Sequence, residues 1–290
     1  MNKQKILILG SAGMAGHVIK SYLQSYPLQF EIHDVARSNK YTTPNYLLDV
    51  TDFAGVEELI NQLQPHCIIN CIGILNKTAE ENPDLAILIN AYLPHFLESI
   101  TKNTVTKIIH ISTDCVFSGK KGAYIETDFK DGIGYYAQTK AIGEINNAKD
   151  LTIRTSIIGP ELNASGIGLL HWFLLQKSPI KGYSKAYWSG VTTFELAKFI
   201  YGVLNSHFEM CGLVHLTNNS KIDKFSLLQI FKTAFNKNDL LIEEYDNYTI
   251  DKSLLNTNTS YQIIVPTYKM MIDEMKNYMI EYKNLYNYEL

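Results

Sequence analysis

The run Tyr136-Ala137-Gln138-Thr139-Lys140 sets a phenol and an ammonium four residues apart. On a helix, positions i and i+4 share a face, so the two side chains are neighbours. A free tyrosine, with a pKa of about 10, exchanges protons poorly at neutral pH, and a fixed cation beside it pulls that value down. Such a pair can act as general acid toward a carbonyl oxygen that is receiving hydride. The spacing alone is weak in a chain with 19 tyrosines, and the adjacent Tyr135 offers a competing register. Support lies upstream, where Ser112-Thr113-Asp114 ends a predicted strand. Open parallel sheets bind ligands beyond the carboxyl ends of their strands. A Thr113 hydroxyl there can hydrogen-bond the substrate carbonyl beside Tyr136. The competing reading is a strand-end turn in which the same short polar residues cap backbone.

A second constellation, Gly10-Ser11-Ala12-Gly13-Met14-Ala15-Gly16, follows an apolar strand and opens a helical stretch. Gly10 and Gly13 allow a tight turn and close approach of backbone N–H groups to a diphosphate, and the helix points its positive end at it. Gly16 allows the helix to pack closely on the strand. Residues Gly10, Ser11, Ala12, Gly13 and Met14 are therefore candidate dinucleotide contacts. Asp34 stands 24 residues beyond Gly10, a suitable distance for an acid accepting the ribose hydroxyls of NAD. Arg37, with Ser38, would instead hold the 2′-phosphate of NADP. The two readings conflict, and NADP(H) is preferred over NAD(H). Asp49-Val50 is placed to meet the adenine, while Asp52 reads as the cap of the next helix.

These groups need a scaffold, and the pattern supplies one. Strands are expected at 5–9, 30–35, 67–72, 107–112 and 151–157, with helices at 14–24, 53–63, 84–102 and 136–147. The strands are nearly continuous apolar runs, as in a parallel sheet covered on both faces. The fold class is α/β, a doubly wound parallel sheet of Rossmann type with a smaller C-terminal α/β substrate lobe. The dinucleotide-binding domain is assigned to 1–158 and the lobe to 159–290, with part of 191–218 returning to the core sheet. Within the lobe, helices are expected at 169–176, 192–204 and 268–282 and a strand at 213–216. Tyr183, Tyr187 and Trp188 either stack on a substrate base or pack within the lobe. Trp172 reads as core, and His171 has no evident partner. Met270, Met271 and Met275 read as packing or as a subunit contact, which leaves a homodimer open.

Composition narrows the field. The chain has 290 residues, is 46% hydrophobic and 19% charged, and carries a net charge of −3. A sizeable core follows, and neither disorder nor nucleic acid is indicated. No basic run suggests a membrane surface, and the opening apolar run is too short for a leader or a span. A cytoplasmic protein is expected. Cys67 and Cys71 share a strand face without a second pair or a histidine cluster, so no metal is expected.

Together these motifs resemble the extended short-chain dehydrogenase/reductase superfamily, and within it the chain is most similar to the dTDP-4-dehydrorhamnose reductase family. The likeness spans most of the chain: the glycine loop, NCIGI, ISTDCVFSG, YIETD, YAQTKAIGE, IRTSIIGPEL and WSGVTT, with 110–144 the most specific part. The resemblance implies NAD(P)H-dependent reduction of the C4 ketone of a dTDP- or UDP-linked 4-keto-6-deoxy sugar, in polysaccharide precursor synthesis. It implies catalytic roles for Thr113, Tyr136 and Lys140, with Lys140 also holding the nicotinamide ribose. Asn70, Cys71, Ile72 and Gly73 would line the cofactor, Asp114 and Cys115 would adjoin the substrate, and Asn90 and Arg154 would support the site. Asp251-Lys252-Ser253 resembles a family element near the substrate. Related dehydratases carry Asp-Glu after the threonine. Here Asp114 precedes Cys115, which disfavours dehydration. Two alternatives stand beside the reductase: an epimerase holding NAD tightly, and a non-catalytic regulatory subunit of the kind found in methionine adenosyltransferase.

Overall fold

Residues 3–177 and 179–289 are described here from a computed structural model. Seven strands make the main sheet: Gln4–Leu9 (β1), Phe30–Ala36 (β2), Tyr46–Leu47 (β3), Cys67–Asn70 (β4), Lys107–Thr113 (β5), Leu151–Thr155 (β6) and Gly212–His215 (β7). All pair in parallel, in the order β7-β6-β5-β4-β1-β2-β3. The order reverses between β1 and β4, and the crevice above that point is where a dinucleotide belongs in such a sheet.

Strand periodicity builds two cores. Ile6, Ile8, Ile69, Ile109 and Ile153 point to one face, beneath helices Gly16–Gln24, Thr193–Ser206 and Tyr268–Glu281. Leu7, Leu9, Ile68 and Ile108 point to the other, beneath Phe53–Leu63 and Leu93–Thr101. Asp52 caps Phe53–Leu63, its carboxylate accepting the Gly55 N–H at 3.0 Å. The helix expected at 84–102 runs as Pro83–Ala86, a π-helical stretch Ile87–Tyr92, and Leu93–Thr101. The strand expected at 151–157 stops at Thr155, and Ile157–Ile158 pairs instead with Val191–Thr192.

The C-terminal lobe is made of short pieces. Ile180–Tyr183 pairs with Ile242–Tyr245, and Ala186–Trp188 lies between Ile222–Asp223 and Ile250–Asp251. Helix Lys224–Ala234 packs against them, capped by Asp223. Trp172, read as core, is 38% exposed, because helix Leu169–Leu174 buries Leu170, Phe173 and Leu174 and turns the indole outward. His171 finds the Tyr288 hydroxyl at 2.8 Å. Met271 and Met275 are buried in the core, while Met270 is exposed. Among the described residues no helix is long and apolar enough to cross a membrane, and no cluster of metal-ligating side chains occurs.

Candidate active site

The glycine loop joins β1 to helix Gly16–Gln24. Gly10 takes φ +86°, a left-handed conformation that favours glycine, and a Cβ there would press on Ile72 of the loop after β4. Val35 O accepts the N–H groups of both Gly10 and Ser11 at 3.0 and 3.1 Å, and Gly10 O accepts that of Gly13 at 3.0 Å. These three residues shape the turn that leads into helix Gly16–Gln24. Ser11 is fully buried, its hydroxyl on Val35 O. A Cβ at Gly16 would overlap the Gly10 carbonyl. We expect Gly16→Ala to abolish dinucleotide binding in a calorimetric titration, because the helix N-terminus must move off the turn.

Asp34 does not face the crevice. It is fully buried, with Oδ2 paired to Lys20 Nζ at 2.9 Å and Oδ1 accepting the Asn45 N–H at 3.1 Å. Fully excluded from solvent inside β2, with a partner on each oxygen, the carboxylate is closed off from a ribose at the strand's end. Arg37 and Ser38 follow β2 and are exposed. Asp49 is exposed beside buried Val50, and Thr51 donates to its Oδ1 through both N–H and hydroxyl at 3.0 and 2.8 Å, which holds the carboxyl below its usual range.

Thr113 closes β5, and Tyr136 and Lys140 lie one turn apart on helix Tyr135–Ile142. The Thr113 hydroxyl donates to Asp114 Oδ1 at 3.2 Å, and the Thr113 side chain is near enough to the Tyr136 phenol to act on its titration. The Thr113 hydroxyl also accepts the Cys115 N–H at 3.1 Å, the turn-capping geometry weighed from sequence, so cap and site residue are one. The helix begins where Glu80 accepts the Tyr136 N–H at 3.2 Å. It ends at Gly143, where a Cβ would overlap the Asn90 carbonyl. Asn90, in the π-helical stretch, bridges Ile74 and the Thr139 hydroxyl (Nδ2 to Oγ1 3.1 Å), tying the loop after β4 to the helix of Tyr136. Cys71, Ile72 and Gly73 lie on that loop.

The electrostatics differ from the simple expectation. Burial pushes the Tyr136 phenol up, Cys115 and Asp114 add to it, and only the nearby Thr113 side chain opposes. Lys140 turns its Nζ to Ile111 O at 2.8 Å and His110 Nε2 at 3.3 Å, and burial lowers it to about 8. Tyr136 therefore stays protonated across the neutral range, the state a general acid needs. Burial raises Asp114, with Lys252 and Lys224 opposing, and raises Cys115 to about 11. Trp188 is buried against Tyr268, the packing alternative, whereas Tyr183 is 41% exposed beside Tyr245 and Tyr248. Tyr187 lies under Lys221 Nζ at 4.2 Å.

Behind the site runs a charge network that only Arg154 announced. Arg154 donates from Nε and Nη2 to Glu144 at 2.8 and 2.7 Å and from Nη1 to His215 at 2.8 Å, and Ser112 donates to Glu144 at 2.7 Å. An arginine inside an apolar strand must have partners, but sequence does not say which. Burial lowers His215 and His17 from 6.5 to about 4. Their unfolded forms bind more protons than the folded ones between those values. Stability is therefore expected to fall as pH drops from 6.5 toward 4, by at most about 1.4 kcal/mol per pH unit for each histidine. Urea midpoints at pH 7 and pH 5 check this; an unchanged midpoint would count against it.

Residues 4–251 match the family model described as the RmlD substrate binding domain. The chain belongs to that family. Among curated relatives, dTDP-4-dehydrorhamnose reductase of Escherichia coli is 29% identical over 160 residues, covering 52% of this chain and 50% of that protein. Methionine adenosyltransferase 2 subunit beta of Mus musculus is 28% identical over 143 residues, covering 49% and 42%. The chain thus spans about half the length of the curated relatives it matches. In fold, it is similar to the structure of a Bacillus anthracis dTDP-4-dehydrorhamnose reductase in complex with NADP, with TM-score 0.80 and 20% identity over 95% of this chain and 99% of that one.

Proposed function

We propose that this chain is an NADPH-dependent reductase of a nucleotide-linked 4-keto-6-deoxy sugar. The observation that carries the reading is the placement of Thr113 at the carboxyl end of β5 beside helix Tyr135–Ile142, which sets Tyr136 and Lys140 one turn apart. The dTDP-sugar names among the relatives supply the substrate class. The nicotinamide, when bound, supplies a hydride. Tyr136 donates its proton to the C4 oxygen, and the Thr113 hydroxyl holds that oxygen in line with the phenol. Lys140 holds the nicotinamide ribose and exchanges a proton behind Tyr136. The amides of Ala12, Met14 and Ala15 and the helix dipole behind them receive the diphosphate. Asp49 takes the adenine amino group, and the loop at Cys71, Ile72 and Gly73 walls the cleft. Asp114, Cys115 and Tyr183 border the sugar nucleotide.

Preference for NADPH rests on two facts: Asp34 is consumed by Lys20 and Asn45, and Arg37 stands exposed at the end of β2. A hydrogen bond to a charged group contributes about 1.5–3 kcal/mol, so Arg37→Ala is expected to cut the NADPH-over-NADH ratio in kcat/KM roughly 10- to 100-fold. An unchanged ratio would remove Arg37 from the 2′-phosphate.

The direct test is a product assay with dTDP- and UDP-4-keto-6-deoxy sugars and both cofactors. Net NADPH oxidation with a reduced sugar product supports the reading. Sugar interconversion without net cofactor consumption would make the chain an epimerase. The second reading is a regulatory subunit, favoured by the match to methionine adenosyltransferase 2 subunit beta. Cofactor binding without turnover of any sugar, with a stable protein partner, would establish it instead.

A further inference from the structure

A buried polar chain runs from Lys140 back into the sheet. Its first link fixes an amide. Asn70, fully buried at the end of β4, accepts the Ile72 N–H on Oδ1 at 3.1 Å. That bond settles which way the carboxamide faces, since the reverse orientation would set its NH2 against a backbone donor. The NH2 consequently points at His110 Nδ1, 3.2 Å away. A neutral imidazole has one donor and one acceptor nitrogen. Nδ1 meets a donor, so it must be the acceptor, and the ring proton sits on Nε2. His110 is fully buried, and burial, with the charge of Lys140 and the more remote His95, keeps it neutral.

The consequence falls on Lys140. Its Nζ lies 3.3 Å from His110 Nε2. An ammonium has three donors and no acceptor, so it faces the Nε2–H as donor against donor. A neutral amine has a lone pair and accepts that proton while still donating to Ile111 O at 2.8 Å. We propose that His110, locked by Asn70 as its Nε2–H tautomer, is a positioning residue that disfavours the ammonium of Lys140 and makes this lysine a proton-exchanging group rather than a fixed cation. The other groups facing Lys140 are Glu144, whose charge favours the ammonium, and Cys71, which burial keeps as a neutral thiol. The donor contact thus works with burial and against Glu144. The proposal rests on the reading that Lys140 serves Tyr136, but its test needs neither substrate nor turnover.

The tautomer of His110 is read by nitrogen-15 NMR of imidazole-labelled protein without added cofactor, and the Lys140 titration by its carbon-13-labelled ε-methylene, assigned by its loss in Lys140→Met. In the parent, His110 is expected to carry its proton on Nε2 throughout the neutral range. Asn70→Leu adds no charge and frees Nδ1 to take the proton, so Nε2 becomes an acceptor for the ammonium. The Lys140 midpoint is expected to rise by about one pH unit or more. A parent His110 protonated on Nδ1 would overturn the proposal, whether or not Asn70→Leu folds. So would a folded Asn70→Leu protein whose Lys140 midpoint stays where it was. Neither result touches the sugar assay, so failure here and failure of the proposed reductase activity are told apart.

Discussion

Replacing Tyr136 with Phe is expected to lower kcat/KM for the keto-sugar roughly 100- to 10,000-fold, the span a positioned general acid contributes. The ring is retained, so the fill between helix Tyr135–Ile142 and the end of β5 is preserved and the fold should persist. What disappears is the proton donor. The loss should fall on kcat, because the proton moves only as charge develops on the C4 oxygen. NADPH affinity, measured by calorimetry, should change little, since the diphosphate and adenine are held elsewhere. Thr113→Val is expected to cost less, about 100- to 1,000-fold, because it removes an oxyanion donor and leaves the acid. The pH profile adds a second check. Burial keeps the phenol protonated, so an alkaline limb in kcat/KM should follow Lys140, near its value of about 8, and not Tyr136. A Tyr136→Phe enzyme that turns over like the parent would leave the site without its acid.

Legibility tracked how tightly local spacing constrains the physics. The glycine loop, the strand-end Ser-Thr-Asp and the Tyr/Lys pair are readable because a turn, a strand end and one helical face each fix residue types over a few positions. The main sheet was readable for the same reason, except β3, whose two residues carry too little pattern to register. What sequence misjudged is set by partners distant along the chain. Asp34 has the type and place of a ribose ligand, yet Lys20 and Asn45 capture it first. Glu144 and His215 join Arg154 from a helix end and from an edge strand. The paired strands Ile180–Tyr183, Ala186–Trp188, Ile222–Asp223, Ile242–Tyr245 and Ile250–Asp251 run two to four residues each, and pieces that short are held by tertiary pairing rather than periodicity. Trp172 shows the converse: an apolar residue in an apolar run whose helical phase turns it outward.

The largest effect on stability is expected from Glu144→Gln. Arg154 and Glu144 are both nearly excluded from water, and the carboxylate accepts two guanidinium N–H groups and the Ser112 hydroxyl, with Lys130 Nζ at 3.1 Å. These bonds hold the Glu144 carboxyl below its usual range although burial acts the other way. Glutamine keeps the size but loses the charge and turns an NH2 toward donors, leaving the guanidinium buried and uncompensated. Breaking such a pair from one side costs about 3–5 kcal/mol, whereas replacing both partners with apolar residues of similar volume is often near neutral. Urea unfolding should show Glu144→Gln destabilised by about that amount, and the double variant Glu144→Leu, Arg154→Met recovering most of the loss. Glu144 sits just past the helix that carries Lys140, while Ser112 and Arg154 sit on the neighbouring strands β5 and β6. The double variant should therefore be stable yet impaired in turnover, because the link that fixes the helix end against the sheet is gone. A single variant as stable as the parent would show that the network carries neither role.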